Sequence, residues 1–500
     1  MSEKESIRAM ESLKDMERDL EDMKEYYSSG ITKQVSWRKS QLEKLLVLLK
    51  EKRVDIFKAL KKDLGKHHVE AFRDEIGTSM KSINYALENL KGWTSSKTAK
   101  LPIIAALSSA EVVAEPLGLV LILSSWNFPF GLSLEPVIGA IAAGNTMVLK
   151  PSELAPASST VLADAILTYL DNKAIKVVEG GPCVGQQLLH HKWDKIFFTG
   201  SSRVGREVMS AAVKHLTPVT LELGGKCPAV LDSLTSSWDK EVAINRILVS
   251  KYGPCAGQAC IAIDYVLMEE QFTSTVISLM KAGIKKMFGE KPRETNSVAS
   301  IINKQHLFKL KNLLSDPKVK DTIVYGGSVD EDNLFVEPTI LLDPPLEAEI
   351  MTEEIFGPIL PIISLKKIED SIKFINARPK ALSIYVFTKS EALKSRMLSE
   401  TSSGSLIFND AVIQYAADSL PFGGVGDSGI GHYHGKFSFD AFSHYKAVVR
   451  RSFLTDLWFR FPPWNDYKLQ LLENAYNFDY FGMLLVILRL KRKKSTNEHL

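Results

Sequence analysis

Residues 117–152 read LGLVLILSSWNFPFGLSLEPVIGAIAAGNTMVLKPS, and this stretch decides the fold. The apolar run Leu117 to Leu123 is closed by the polar and aromatic turn SSWNFPF, which predicts a buried strand leaving into a loop. Residues 134–145 (LEPVIGAIAAGN) predict a small-residue helix stopped by Gly144-Asn145, a good pair for a left-handed C-terminal cap. TMVLKPS then predicts the next strand.

The alternation continues outward. A helix over 158–170, a strand in AIKVVEG, a helix in GQQLLHH, a strand in KIFFTGS, a helix in RVGREVMSAAVKHL and a strand in VTLELGG follow in order. Upstream, residues 35–100 carry long helical patterns. Downstream, residues 230–415 hold a second alternating series that includes AVLD, YVLM, TIVYGG, PILPIISL and SIYVFT. The class is therefore α/β, with two parallel-sheet domains of the Rossmann-like kind. Such sheets bind ligands beyond the carboxyl ends of their strands. Polar signatures stand at those ends: Trp126-Asn127, Lys150-Pro151-Ser152, Thr199-Gly200-Ser201 and Glu222-Leu223-Gly224-Gly225.

Composition narrows the function. Of 500 residues, 45% are hydrophobic and 24% charged, ordinary for a globular chain with a sizeable core. The net charge is +3, but the run RLKRKK at 489–494 is itself strongly basic, so the remainder offers no broad basic face for nucleic acid. Four cysteines exclude a disulfide framework and suggest a reducing compartment, hence a cytoplasmic location. The N-terminal segment lacks the apolar core of a secretory signal and is too acidic for an organelle leader. Its Ile7, Met10, Leu13, Met16, Leu20 and Met23 recur at helical spacing, as for an amphipathic helix packed on its own domain. Near the other end, FGMLLVIL (481–488) is too short to span a bilayer. With the basic run after it, the segment 478–494 fits either a docked terminus or peripheral contact with an anionic membrane such as the endoplasmic reticulum.

Two glycine loops compete as phosphate sites. Gly424-Val425-Gly426-Asp427-Ser428-Gly429 fits GxGxxG, but SLPF precedes it and HYHGKFSF follows, so it reads as a structural turn. Gly200-Ser201-Ser202-Arg203-Val204-Gly205 follows the strand IFFT and opens a helix whose free N–H groups suit a diphosphate. Arg206-Glu207 stand where a P-loop needs Lys-Ser/Thr. Cys255 and Cys260 lack zinc-site spacing, so no metal is expected. Cys260 follows Gly257-Gln258-Ala259, a loop able to present a thiol. Glu222 is a general base or a salt-bridged carboxylate, and Asn127 an oxyanion donor or a turn residue, on the residues alone.

Read together, SSWNFPF, LKPSE, FTGS with Val204-Gly205, LELGGK, GQAC and EEIFGP occur in the order and rough spacing of the aldehyde dehydrogenase superfamily. The short stretch before WRKSQL, IAAGN, LPFGGVGDSG and HYHGKFSFDAFSH resemble class 3 (family 3) members, with a plant-type texture, and the apolar-basic tail resembles that of fatty-aldehyde members. The resemblance implies an NAD(P)-dependent enzyme that makes carboxylic acids from aldehydes, medium to long aliphatic or aromatic ones favoured. It implies Cys260 as nucleophile, Asn127 and the Cys260 amide as oxyanion donors, and Glu222 as the base that activates water. It implies Lys150 and Glu153 at the adenosine ribose, Gly200, Ser201, Val204 and Gly205 near the diphosphate, Glu354 on the nicotinamide ribose and Phe356 beside the ring. A homodimer is implied as well.

The Glu153 carboxylate would accept from ribose hydroxyls and repel a 2′-phosphate, so NAD is expected over NADP, with small Val204 leaving some room for NADP. The implied division is 1–99 with 116–223 for the cofactor and 224–415 for catalysis. Residues 100–115 with 416–465 would form a bridging, oligomerising element, and 466–500 a tail. Ala259 stands where many members carry Thr, which bears on substrate range, and the Glu222-to-Cys260 interval is a few residues long for the class, suggesting an extended loop at SLTSSW. Two rival readings are a CoA-acylating enzyme on this fold and a silent structural protein. Cys255, five residues from Cys260, reads as a small packing residue, with a disulfide to Cys260 that would silence the enzyme under oxidation as the alternative.

Overall fold

The structure is a computed structural model that describes residues 3–102, 105, 108–295, 297–454 and 456–490, with side chains from residue 16 onward. Its contacts divide into two compact units, Met1–Trp93 with Pro116–His444, and Thr94–Glu115 with Tyr445–Leu500.

The larger unit holds two parallel sheets. The first is six-stranded, in the order Gly429–Ile430, Val219–Glu222, Lys195–Thr199, Leu119–Leu123, Thr146–Lys150, Ile175–Val177. Its first strand is antiparallel to its neighbour and the others run parallel. All five residues of Leu119–Leu123 are buried, as are those of Thr146–Lys150, which is why both read as unbroken apolar runs. The helix between them spans Gly131–Ala143 and ends on Gly144 at φ 92°, whose N–H donates to the Ala140 and Ile141 carbonyls. Only glycine takes that conformation without strain, so the stop seen at Gly144-Asn145 is a left-handed cap. Within this sheet the order reverses between Leu119–Leu123 and Lys195–Thr199, so a crevice opens at the carboxyl ends of those strands.

The second sheet is seven-stranded, in the order Ile323–Tyr325, Thr339–Leu342, Ile359–Leu365, Tyr265–Glu269, Pro228–Leu231, Ser383–Phe387, Ser405–Phe408. Only its Ile323–Tyr325 edge is antiparallel. The N-terminal helix Glu3–Ser28 lays Leu20 and Met23 into the core of the first sheet, with Met16 at its margin. The side chains of Ile7, Met10 and Leu13 lie outside the described residues.

The second unit is built around the three-stranded sheet Lys97–Ala99, Ser108–Pro116, Ser443–Arg451. Helices Asp466–Tyr476 and Tyr480–Ile487 follow and share a small core of Phe459, Leu471, Ala475, Met483 and Val486. Its first segment starts at Thr94, against 100 for the expected bridging element, and its second at Tyr445, against 416. Residues 416–444 lie with the larger unit because Gly429–Ile430 pairs with Val219–Glu222 and because Phe442 stacks on Phe197, ring centroids 5.8 Å apart.

Candidate active site

Each element of the site follows from a strand end. Leu123 is in register with Lys150 and with Phe198, and Thr199 with Glu222, so the ends of four predicted strands line up along one edge. Lys150 is buried, and its Nζ donates to Glu153 Oε2 at 3.0 Å and to the Pro151 carbonyl at 3.1 Å. Ser201 caps the helix Ser202–Val213, its hydroxyl accepting from the Val204 N–H at 3.4 Å. Gly205 is buried in that first turn, and Val204 packs on the core of the sheet. The Gly200 N–H donates to the Glu222 carbonyl at 3.0 Å, which ties the turn to the strand of Glu222.

Glu222 is buried, and neither carboxylate oxygen has a hydrogen-bond partner among the described residues. Burial therefore pushes its carboxyl well above the usual carboxylate range. The GxGxxG segment packs against this strand. It folds into a tight turn, Gly429 N–H to the Gly426 carbonyl at 3.2 Å, and Ser428 O accepts from the Leu223 N–H at 3.2 Å.

Cys260 comes from the loop between helix Ser237–Tyr252 and strand Tyr265–Glu269 of the second sheet. The loop begins with two non-glycine residues in left-handed conformation, Cys255 at φ 49° and Ala256 at φ 52°. Such conformations cost on the order of 1–3 kcal/mol each and persist where surrounding contacts impose them. Cys260 is partly exposed. Desolvation pushes its thiol up, with the Glu354 and Glu222 carboxylates adding to the rise and its own N–H and that of Ile261 opposing it. These interactions put Cys260, Glu222 and Glu354 in one electrostatic neighbourhood. Asn127 joins them by a direct bond: it is buried, and its Nδ2 donates at 2.9 Å to the carbonyl of Gln258, two residues before Cys260. An amide nitrogen carries two hydrogens, so one remains to meet a substrate oxygen.

Glu354 sits over the Gly224-Gly225 turn. A Cβ on Gly224 would stand 2.4 Å from Glu354 Oε2, so a side chain there would displace this carboxylate, and the Gly225 N–H donates to the carboxyl. Burial, with Asp264 adding, pushes Glu354 up to about 8. Its loop is pinned from below: Lys226 pairs with Asp264 and donates at 2.8 Å to the Ile350 and Glu353 carbonyls, and the Ile355 N–H donates to Asp264 at 3.2 Å. Phe356, at φ 52°, packs edge-on to Trp126 with ring centroids 5.5 Å apart.

Cys255 and Cys260 are both free thiols. The Cys255 N–H donates to Glu70 Oε1 at 2.7 Å, and burial pushes its thiol up to about 12 with Lys66, Glu70 and Glu75 as charged neighbours. The Cys255 sulfur accepts from Gln258 Nε2 at 3.6 Å, and the Cys227 thiol donates to the Cys260 carbonyl at 3.3 Å. Cys255 and Cys260 thus have different charged neighbours, Lys66, Glu70 and Glu75 for Cys255, and Glu354 and Glu222 for Cys260. Lys66, Glu70 and Glu75 themselves escaped the sequence reading, because charged residues in a helical stretch read as a solvated face.

The aldehyde dehydrogenase family model matches residues 8–448. This chain belongs to the aldehyde dehydrogenase family. Its relatives are family 3 aldehyde dehydrogenases: it is 54% identical to aldehyde dehydrogenase family 3 member F1 of Arabidopsis thaliana, over 97% of this chain and 100% of that one. A substrate-bound structure of AldH from Staphylococcus aureus is 40% identical over 92% of this chain and 99% of that one, with a TM-score of 0.89. An NAD-dependent aldehyde dehydrogenase from Sinorhizobium meliloti is 26% identical over 89% of each chain, with a TM-score of 0.80. This aldehyde dehydrogenase oxidises aldehydes to carboxylic acids and uses a nicotinamide cofactor. The residues present suit a dinucleotide: Thr199 presents a buried hydroxyl without a partner among the described residues, a helix N-terminus opens at Ser202, and Lys150 with Glu153 offers paired donor and acceptor at the neighbouring strand end.

Proposed function

We propose that Cys260 is the nucleophile of this aldehyde oxidation, Asn127 an oxyanion donor and Glu222 the base for hydrolysis. The observation that supports this most is the convergence of three elements from two sheets: Asn127 bonded to Gln258, and Cys260 sharing its field with Glu222 and Glu354. The Cys260 thiol gives up its proton to water, its sulfur adds to the carbonyl carbon, and the oxygen takes up negative charge between Asn127 Nδ2–H and the Cys260 N–H. A bound nicotinamide supplies the hydride acceptor. Loss of hydride from the thiohemiacetal leaves Cys260 as a thioester. Glu222 takes a proton from water, the hydroxyl adds to the thioester carbon, and the carboxylic acid leaves as the sulfur is released. A base with two unpartnered oxygens beside the sulfur favours hydrolysis over transfer to CoA.

Lys150 and Glu153 would hold the adenosine ribose, Gly200, Ser201, Val204 and Gly205 would face the diphosphate, and Glu354 and Phe356 would flank the nicotinamide ribose and ring. On this assignment the six-stranded sheet holds the adenosine and diphosphate end of the cofactor, and the seven-stranded sheet the catalytic loop and the groups at the nicotinamide. NAD is preferred over NADP, because Glu153 puts a carboxylate where a 2′-phosphate would lie. Glu153→Gln is expected to raise the NADP/NAD ratio of kcat/KM by about tenfold, measured with both cofactors at one aldehyde. An unchanged ratio would remove Glu153 from the ribose.

The substrates are medium- to long-chain aliphatic or aromatic aldehydes, and the enzyme is a cytoplasmic homodimer whose segment 478–494 rests on a membrane surface. Phe478, Tyr480, Phe481, Leu484, Ile487, Leu488 and Leu490 are exposed, which supports the last point, and Lys491 to Lys494 lie outside the described residues. No helix among the described residues is long and apolar enough to cross a membrane. Absorbance at 340 nm over aldehydes from acetaldehyde to dodecanal tests the class: kcat/KM is expected to climb with chain length, and a maximum at acetaldehyde would overturn it.

A further inference from the structure

Behind the proposed catalytic groups lies a buried cluster that the chemistry above does not use. Lys66 and Glu75 have side chains with no solvent exposure, and Lys66 Nζ donates to Glu75 Oε1 at 2.6 Å. The same ammonium donates to the carbonyl of Asn127 at 2.8 Å and lies 4.0 Å over the Phe128 ring. The other Glu75 oxygen accepts from the Phe130 N–H at 2.8 Å and the Gly131 N–H at 3.4 Å, at the start of helix Gly131–Ala143. The whole turn that bears Asn127 is therefore held at both ends by one ion pair.

The neighbouring Glu70 reaches the other reactive loop. Its carboxylate accepts from the N–H of Cys255, the first of the two left-handed residues that aim the chain toward Cys260. Glu70 and Glu75 come from adjoining turns, His68–Ala71 and Phe72–Ile76, and the second is a π-turn. Its widened carbonyls are met by the hydroxyls of Thr78 and Ser79, which donate to Asp74 and Glu75. π-turns are rare and gather at functional sites. Stability does not explain the ion pair, since an apolar replacement of a buried pair is often neutral or stabilising. What it supplies is direction: fixed donors and acceptors on backbone groups of the oxyanion loop.

We propose that Lys66, with Glu75 and Glu70, is a positioning cluster that sets the distance between the oxyanion donor Asn127 and the loop of Cys260. This rests on the roles proposed above for Asn127 and Cys260. Lys66 touches no reacting atom, so its effect on turnover passes through Asn127.

A double-mutant cycle in the full-length enzyme with its cofactor tests this, with nonanal as substrate. Lys66→Met is expected to lower kcat by about tenfold or more, while KM for NAD stays within about twofold. In the Asn127→Ala background the same change is expected to lower kcat by less than about twofold, because the group it positions is gone. Losses that multiply would show a general structural role and overturn the proposal, as would near-normal turnover of Lys66→Met. Near-normal turnover of Asn127→Ala would instead overturn the oxyanion role on which the proposal rests. If Lys66→Met does not fold, Glu75→Gln takes its place in the cycle. Glu70→Gln retains an acceptor for the Cys255 N–H and is expected to alkylate at Cys260 with iodoacetamide at close to the normal rate, whereas Glu70→Ala is expected to change that rate severalfold. Equal rates in these two variants would exclude Glu70 from the cluster.

Discussion

Cys260→Ala is expected to reduce aldehyde turnover by roughly four orders of magnitude or more, the scale of removing a covalent nucleophile. Cofactor binding is expected to survive, because Cys260 is not among the groups proposed for it: Lys150, Glu153 and the Gly200–Gly205 turn stand on the first sheet, and Glu354 and Phe356 on a different loop of the second. Two measurements separate the effects: NADH absorbance for turnover and quenching of protein fluorescence for binding. Of the four cysteines, Cys227 and Cys255 are buried and Cys183 is exposed on helix Pro182–His190, so none can replace Cys260 at the loop. Cys260→Ser keeps a hydroxyl in place but loses the soft, polarisable sulfur, and is expected to recover only a small part of the rate. Turnover within tenfold of normal in the alanine variant would place the nucleophile elsewhere.

The second large effect is expected at Glu222. Glu222→Gln keeps the side chain's shape but cannot accept a proton from water, so the thioester forms and then stalls. The expected record is a rapid burst of NADH close to one per site, followed by a steady rate about 10²–10⁴ lower. The normal enzyme should show a pH dependence of definite sign. Burial raises the Glu222 carboxyl well above 4.5, so its proton is held to higher pH, and kcat should rise as pH increases and the carboxylate form grows. In Glu222→Gln that limb should vanish. A burst absent from the variant, or a rising limb that persists in it, would transfer the base role to another group.

How much of this was legible in the sequence follows from the range of each signal. Leu119–Leu123, the helix stop at Gly144 and the strand ends at Lys150, Thr199 and Glu222 are written in runs of a few residues, and each stands where the pattern put it. The GxGxxG segment read as a structural turn because no apolar strand run precedes it, although a short helix, Gly435–Ala441, does follow. The joining of 416–444 to the first sheet was not legible, since a two-residue strand carries no periodicity. Lys66, Glu70 and Glu75 were hidden for another reason. Their partners are backbone groups of residues 127, 130, 131 and 255, and nothing local marks a helix as lying against those loops. The separate surroundings of Cys255 and Cys260 were hidden in the same way, by two left-handed residues that turn the chain between them.

The short strand Gly429–Ile430 has a consequence for biosynthesis. The strand that carries Glu222 gains its outer neighbour only from residues made roughly two hundred positions later. Until the ribosome has released that late segment, the border of the first sheet presents open amides and a poorly anchored acid. A nascent chain should therefore gain hydrolytic competence abruptly, near the end of translation, and depend on protection from aggregation before then.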